Sequence, residues 1–231
     1  MVNKCYWPCT QDPDGDGCMS ADENDLAETC LKTLVSIIIQ PDCHLYPKTA
    51  FILIRMFLDS LCDITKMEWK PDNNNEDIVS YIYTLFVSAV ERHSQLLLSG
   101  ITTTDPALST LYSRLVHEIL QCTDKPGIYP VEESCSSMAL GFWYLLQDEV
   151  FAMNNEEERI KCWEYIKPLY AHLTRILVRK SEQPDENSID KWSSDDLESF
   201  RCYRQDISDT FVSKFIKKKL KIFYMLQILT Y

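Results

Sequence analysis

Apolar residues recur at steps of three and four along most of this chain. Cys135, Met138, Phe142, Leu146 and Val150 make one stripe, widened by Trp143 and Leu145, and predict a helix over about 131–151. The same spacing predicts a helix over 22–40, with Leu26, Cys30, Leu34 and Ile37 facing inward, stopped by Pro41. Another begins at Pro47 and buries Phe51, Ile54, Leu58 and Leu61; a further one runs over about 76–98 on Ile78, Ile82, Leu85, Ala89 and Leu96. Asp105 before Pro106 reads as an N-cap with a first-turn proline, opening a helix on Leu108, Leu111, Leu115 and Ile119. A long helix over 156–180 contains Pro168, which is expected to kink it. The last begins with a capping box, Ser193 and Asp196, and buries Leu197, Phe200, Ile207 and Phe211.

These are seven long helices with no convincing strand. Their starts are unevenly spaced, at roughly 25 to 40 residues, so a helix pair is somewhat longer than the ~40–47 residues of a HEAT unit. The repeat is one of pattern, not of identical residues. The expected fold is all-α, an α-α superhelix of HEAT/armadillo-like repeats, with a closed bundle as the alternative. The expected divisions are an irregular acidic segment over 1–23, helical repeats over 24–213 and a basic tail over 214–231.

Composition sharpens this picture. Five glycines in 231 residues argue against a turn-rich β fold and a glycine-lined phosphate loop. Net charge is −12, and no acid follows Asp209, while Lys214, Lys217, Lys218, Lys219 and Lys221 lie in the tail. Removing those five lysines leaves 18 basic against 35 acidic side chains in residues 1–213. A field of that sign repels nucleic acid and attracts basic protein surfaces. Several of the ten cysteines, Cys62 and Cys135 among them, fall on helical apolar stripes, as reduced cysteine does when it acts as a small hydrophobe. A reducing compartment is expected, with no signal peptide and no membrane span.

Candidate chemistry is sparse. Residues 12–23 follow a calcium-loop pattern: Asp12, Asp14 and Asp16 at positions 1, 3 and 5, Gly17 at position 6 and Glu23 at position 12. Against a calcium site, only eleven residues precede the loop, and Pro13 occupies position 2. Cys5, Cys9, Cys18 and His44 could be assembled as zinc ligands, but they lack the second tight pair such sites use. His117-Glu118 lacks the second His of a metalloprotease helix, and no nucleophile elbow is present. The chain is read as a non-enzyme with no catalytic residue and no cofactor, calcium excepted.

The runs Ile128-Tyr-Pro-Val-Glu-Glu-Ser-Cys-Ser-Ser137, Phe142-Trp-Tyr-Leu-Leu-Gln-Asp148, Trp192-Ser-Ser-Asp195 and Phe200-Arg-Cys-Tyr-Arg-Gln-Asp-Ile-Ser-Asp-Thr210 resemble the karyopherin-β (importin-β) family of nuclear transport receptors. Ile39-Gln-Pro-Asp42 and Glu91-Arg-His-Ser94 fit the same alignment more weakly, and the likeness runs over about 22–212. It implies a HEAT-repeat receptor that carries protein cargo between cytoplasm and nucleus under the GTPase Ran, of which this chain resembles a middle piece. In the family the acid opening the D-I-S-D-T motif faces cargo. That role passes to Asp206, with Glu198 and Asp209 as neighbours on the same helix. The expected partner of this stretch is a basic protein, whereas Ran-GTP is expected of the longer receptor. The sequence departs from the family after Thr210. The other readings are a scaffold of helical repeats outside transport and a calcium-binding regulator built on residues 12–23.

Overall fold

In the computed structural model, residues 21–40, 45–65 and 75–212 are described; the tail over 214–231 and most of 1–23 lie outside them. Every regular element among them is helical. The helices are α1 (Ala21–Ile38), α2 (Pro47–Thr65), α3 (Asn75–Arg92), α4 (Ser94–Thr102), α5 (Pro106–Thr123), a 3₁₀ turn (Ser136–Ala139), α6 (Leu140–Ala152), α7 (Glu156–Lys180), the one-turn α8 (Glu186–Ile189) and α9 (Ser194–Val212). They fall into two units, divided between Arg92 and His93.

In the first unit α3 packs against both α1 and α2. Ile78, Ile82, Leu85 and Ala89 are buried as expected, and so are Tyr83, Phe86, Val87 and Val90, so α3 is apolar nearly all round. Tyr81 Oη donates to Glu28 at 2.9 Å, and Arg92 Nε donates to the Gln40 carbonyl at 3.4 Å. The contact advances in the same direction on both helices, so α1 and α3 run parallel, as alternate helices of an antiparallel series do. The inner face of α1 corrects the expectation. Ala27, Leu31 and Ile38 are buried, while Leu26 is 65% exposed, Ile37 is 44% exposed and Cys30 is also exposed. The true face is turned by about one residue, or about 100°, from the expected one.

The second unit is organised around α5, α6 and α7. The helix expected over 76–98 is two helices, because His93 adopts φ −114° and ψ 31° and ends the run. Gly100 of α4 lies against the ring of Tyr112, where an added Cβ would fall 2.0 Å from a ring carbon. Asp105 caps α5, accepting from Ala107 N at 2.9 Å, and Asn155 caps α7 in the same way, accepting from Glu157 N at 3.0 Å. α7 continues through Pro168 as one element of 25 residues. Both Pro168 and Glu164, whose carbonyl loses its donor there, are exposed, so the vacancy lies where water reaches. The helix expected from about 131 begins later, as a 3₁₀ turn at Ser136 that passes into α6 at Leu140. Trp143 is fully buried, donates Nε1 to Thr123 Oγ1 at 2.8 Å and meets the edge of Tyr170. Phe142 is buried beside it, and Tyr144 is the aromatic of this helix left exposed.

Candidate functional site

α9 is built as its capping box foretells. Asp196 N donates to Ser193 Oγ at 3.1 Å, and Ser193 N donates back to Asp196 Oδ2 at 3.3 Å. Two orphan donors of the first turn are satisfied reciprocally. The buried face consists of Phe200, Tyr203 and Ile207. Leu197, expected on it, is 41% exposed, because it lies about 60° past Phe200 around the helix and away from Tyr203. The side chain of Phe211 falls outside the described residues.

The opposite side of α9 carries Asp195, Glu198, Cys202, Asp206 and Asp209, all exposed and spaced at three and four. Asp206, singled out by resemblance, and its neighbours Glu198 and Asp209 therefore share one side, and none is sealed in the core. They are not equivalent. Glu198 accepts two hydrogen bonds from Arg201, at 2.7 and 2.6 Å, and those bonds hold its carboxyl below the usual range. Asp209 accepts from Gln205 at 3.0 Å. Among the described residues no cation pairs with Asp206. Asp206 and Asp209 thus keep the larger share of unneutralised charge.

Behind α9 lies a polar cluster that sequence reasoning missed. Glu133 and Ser136 are buried, and Lys180 nearly so. Lys180 Nζ donates to Glu133 Oε1 at 2.9 Å, to the Gly127 carbonyl at 3.0 Å and to the Lys125 carbonyl. Glu133 Oε2 accepts from the backbone of Cys135 at 2.8 Å and of Ser136 at 2.9 Å. Ser136 Oγ donates to Glu133 Oε1 and lies 2.8 Å from Tyr203 Oη. Serine has one hydroxyl proton, so Tyr203 is the donor to Ser136. Burial pushes the Tyr203 phenol well above its ordinary range, in keeping with a hydroxyl that donates. The ring of Tyr203 packs on Tyr129 with centroids 4.5 Å apart. One signal was available: Tyr203 falls three after Phe200 and four before Ile207. No sequence pattern marks Glu133 as buried.

A cavity of about 470 Å³ adjoins this cluster, lined by Asp124, Lys125, Gly127, Glu132, Arg179 and Lys180 among others. Arg179 is paired with Asp124, and all three protons of Lys180 are used, so two of its three cations are engaged within the protein. Among the described residues no group of three His, Cys, Asp or Glu could hold a metal ion. Asp12, Asp14, Asp16, Cys5, Cys9, Cys18 and His44 lie outside them, as does the side chain of Glu23, whose backbone belongs to α1. No helix among the described residues is long and apolar enough to cross a membrane. Glu149, one of the acids near the end of α6, accepts from Ser94 at 3.2 Å.

The all-α arrangement belongs to the helical-repeat class of HEAT type. Residues 182–216, which include α9, match the family model of the importin 13 repeat. Importin-13 of Homo sapiens is 33% identical over 188 residues, covering 81% of this chain and 19% of that protein; importin-13 of Gallus gallus is 32% identical over 191 residues, covering 83% and 19%. A solved structure of importin 13, in its cytosolic state, superimposes with a TM-score of 0.80 at 76% identity, covering 90% of this chain and 23% of that one. The chain is thus similar in sequence and in fold to a stretch of importin-13, and spans about a fifth of the length of the curated relatives it matches.

Proposed function

We propose that this chain is a cargo-contacting stretch of an importin-13-like nuclear transport receptor, and that it engages basic protein surfaces through the acidic side of α9. One observation carries the reading: the helix inside the family match presents Asp206 and Asp209 to solvent, and among the described residues no cation pairs with either. Charge of this kind raises the encounter rate with a cationic partner and supplies specificity, and both effects weaken as salt screens them. The role is one of binding and needs no cofactor. Ran-GTP would act on the longer receptor, which would shuttle between cytoplasm and nucleus.

Fluorescence anisotropy with a labelled deca-lysine peptide and with a basic folded domain tests the surface. Asp206→Lys with Asp209→Lys is expected to weaken both by about tenfold or more at low salt. Glu198→Gln is expected to matter less, because Arg201 already neutralises it. Equal affinity in the double variant would sink the proposal. In a pull-down with GTP-loaded Ran, a full-length relative is expected to be retained and this chain is not.

A further inference from the structure

We infer that the buried polar chain from Lys180 through Glu133 and Ser136 to Tyr203 sets the rotation of α9 about its own axis, making Tyr203 a positioning residue for the acidic side of that helix. Its link to cargo rests on the function proposed above; its structural part does not.

Apolar burial is non-directional. Phe200 and Ile207 alone would hold α9 against its neighbours while tolerating a modest turn about its axis. A carboxylate about 6 Å from the axis shifts by roughly 2 Å for a 20° turn, enough to redirect the charges presented to a partner. The same turn acts on Tyr203 Oη, and a hydrogen bond of 2.8 Å does not survive a displacement of that size. The lost bond would leave a buried phenol without an acceptor, which is costly in a low-dielectric interior.

The rest of the chain is anchored so that it cannot follow. All three protons of Lys180 are committed. Glu133 is held by two backbone amides, by Ser136 and by Lys180. Gly127, whose carbonyl is one of the anchors, has φ +108° and a would-be Cβ 2.9 Å from Glu132, so the loop's shape is itself constrained. The acceptor offered to Tyr203 is therefore fixed in place by α7 and by the 124–136 loop, and α9 must come to it.

The test uses the full chain with nitroxide labels at the native Cys202 and at Ala152→Cys on α6, both exposed. Cys5, Cys9, Cys18, Cys30 and Cys43 are changed to serine in this background. Tyr203→Phe keeps the ring and removes only the hydroxyl. The expected result is a shifted or broadened interspin distance with helicity unchanged by circular dichroism. Deca-lysine binding is expected to weaken by about threefold to tenfold, through a reduced fraction of competent orientations. An unchanged distance distribution overturns the inference, even if the melting temperature falls, since a purely structural bond would do that alone. Ser136→Ala removes the acceptor from the other side and should reproduce the shift; it decides the matter if Tyr203→Phe does not fold. If the distance moves but the parent chain does not bind deca-lysine, the positioning stands and the cargo reading fails.

Discussion

Helices α1 and α9 are nearly the same length, 18 and 19 residues, and are held by different physics. α1 buries Ala27, Leu31 and Ile38 and leaves a second apolar stripe, Leu26, Cys30 and Ile37, facing out. Its side-chain hydrogen bond to a neighbouring helix is an edge contact, Tyr81 to Glu28. α9 also buries three residues, Phe200, Tyr203 and Ile207, but the hydroxyl of Tyr203 ends a chain of satisfied polar contacts reaching α7. Apolar area decides that a helix is held; directional bonds decide which way it faces. The helix fixed in this second way is the one that carries the charges proposed to meet a partner.

The largest effect should come from breaking the clamp under α9. Lys180→Ala leaves the Glu133 carboxylate buried without its cation and is expected to cost about 3–5 kcal/mol by urea unfolding. A smaller loss would mean that water reaches Glu133. On the α1 side, Leu31→Ala should cost about 2–4 kcal/mol, whereas Leu26→Ala should stay within about 0.5 kcal/mol. Reversed magnitudes would restore the face expected from periodicity and undo the comparison. Ser193→Ala removes one half of the α9 capping box and should cost about 1 kcal/mol, read as a lower denaturation midpoint. The mildest probe is thiol labelling of the native chain, read site by site by mass spectrometry. Cys30 and Cys202 are exposed and should label first. Cys122 and Cys135 should label only on unfolding, since both are buried and burial pushes the Cys122 thiol well above its ordinary range. Early labelling of Cys122 would mean that the clamp region opens.

Periodicity located α2, α5, α7 and α9 closely, since each has one dominant apolar stripe or a clear cap, and it located the start of α3 but not its end. It failed where two faces compete or where polar contacts decide. In α1 two apolar stripes are available, and the neighbour, α3, selects between them. Over 131–135 the spacing resembles a helix, yet Glu133 accepts the backbone amides of Cys135 and Ser136 and shapes a loop instead. The split at His93 leaves no trace in periodicity, because Leu97 and Leu98 continue the apolar pattern past it. Asp206 was reached through resemblance, and Asp209 and Glu198 as its neighbours on the helix; the structure adds that Glu198 is already neutralised by Arg201.

The order of apolar, capping and charged residues alone determined that this chain is helical, where most of its helices begin, and that its field is acidic. Those are properties of neighbours a few residues apart, which the chain carries before it folds. Only the tertiary structure decided which stripe of α1 is inside, that Glu133 and Lys180 meet in the interior, and how Tyr203 ties α9 to them. Those depend on groups 53, 47 and 67 residues apart, brought together by packing that no local spacing encodes.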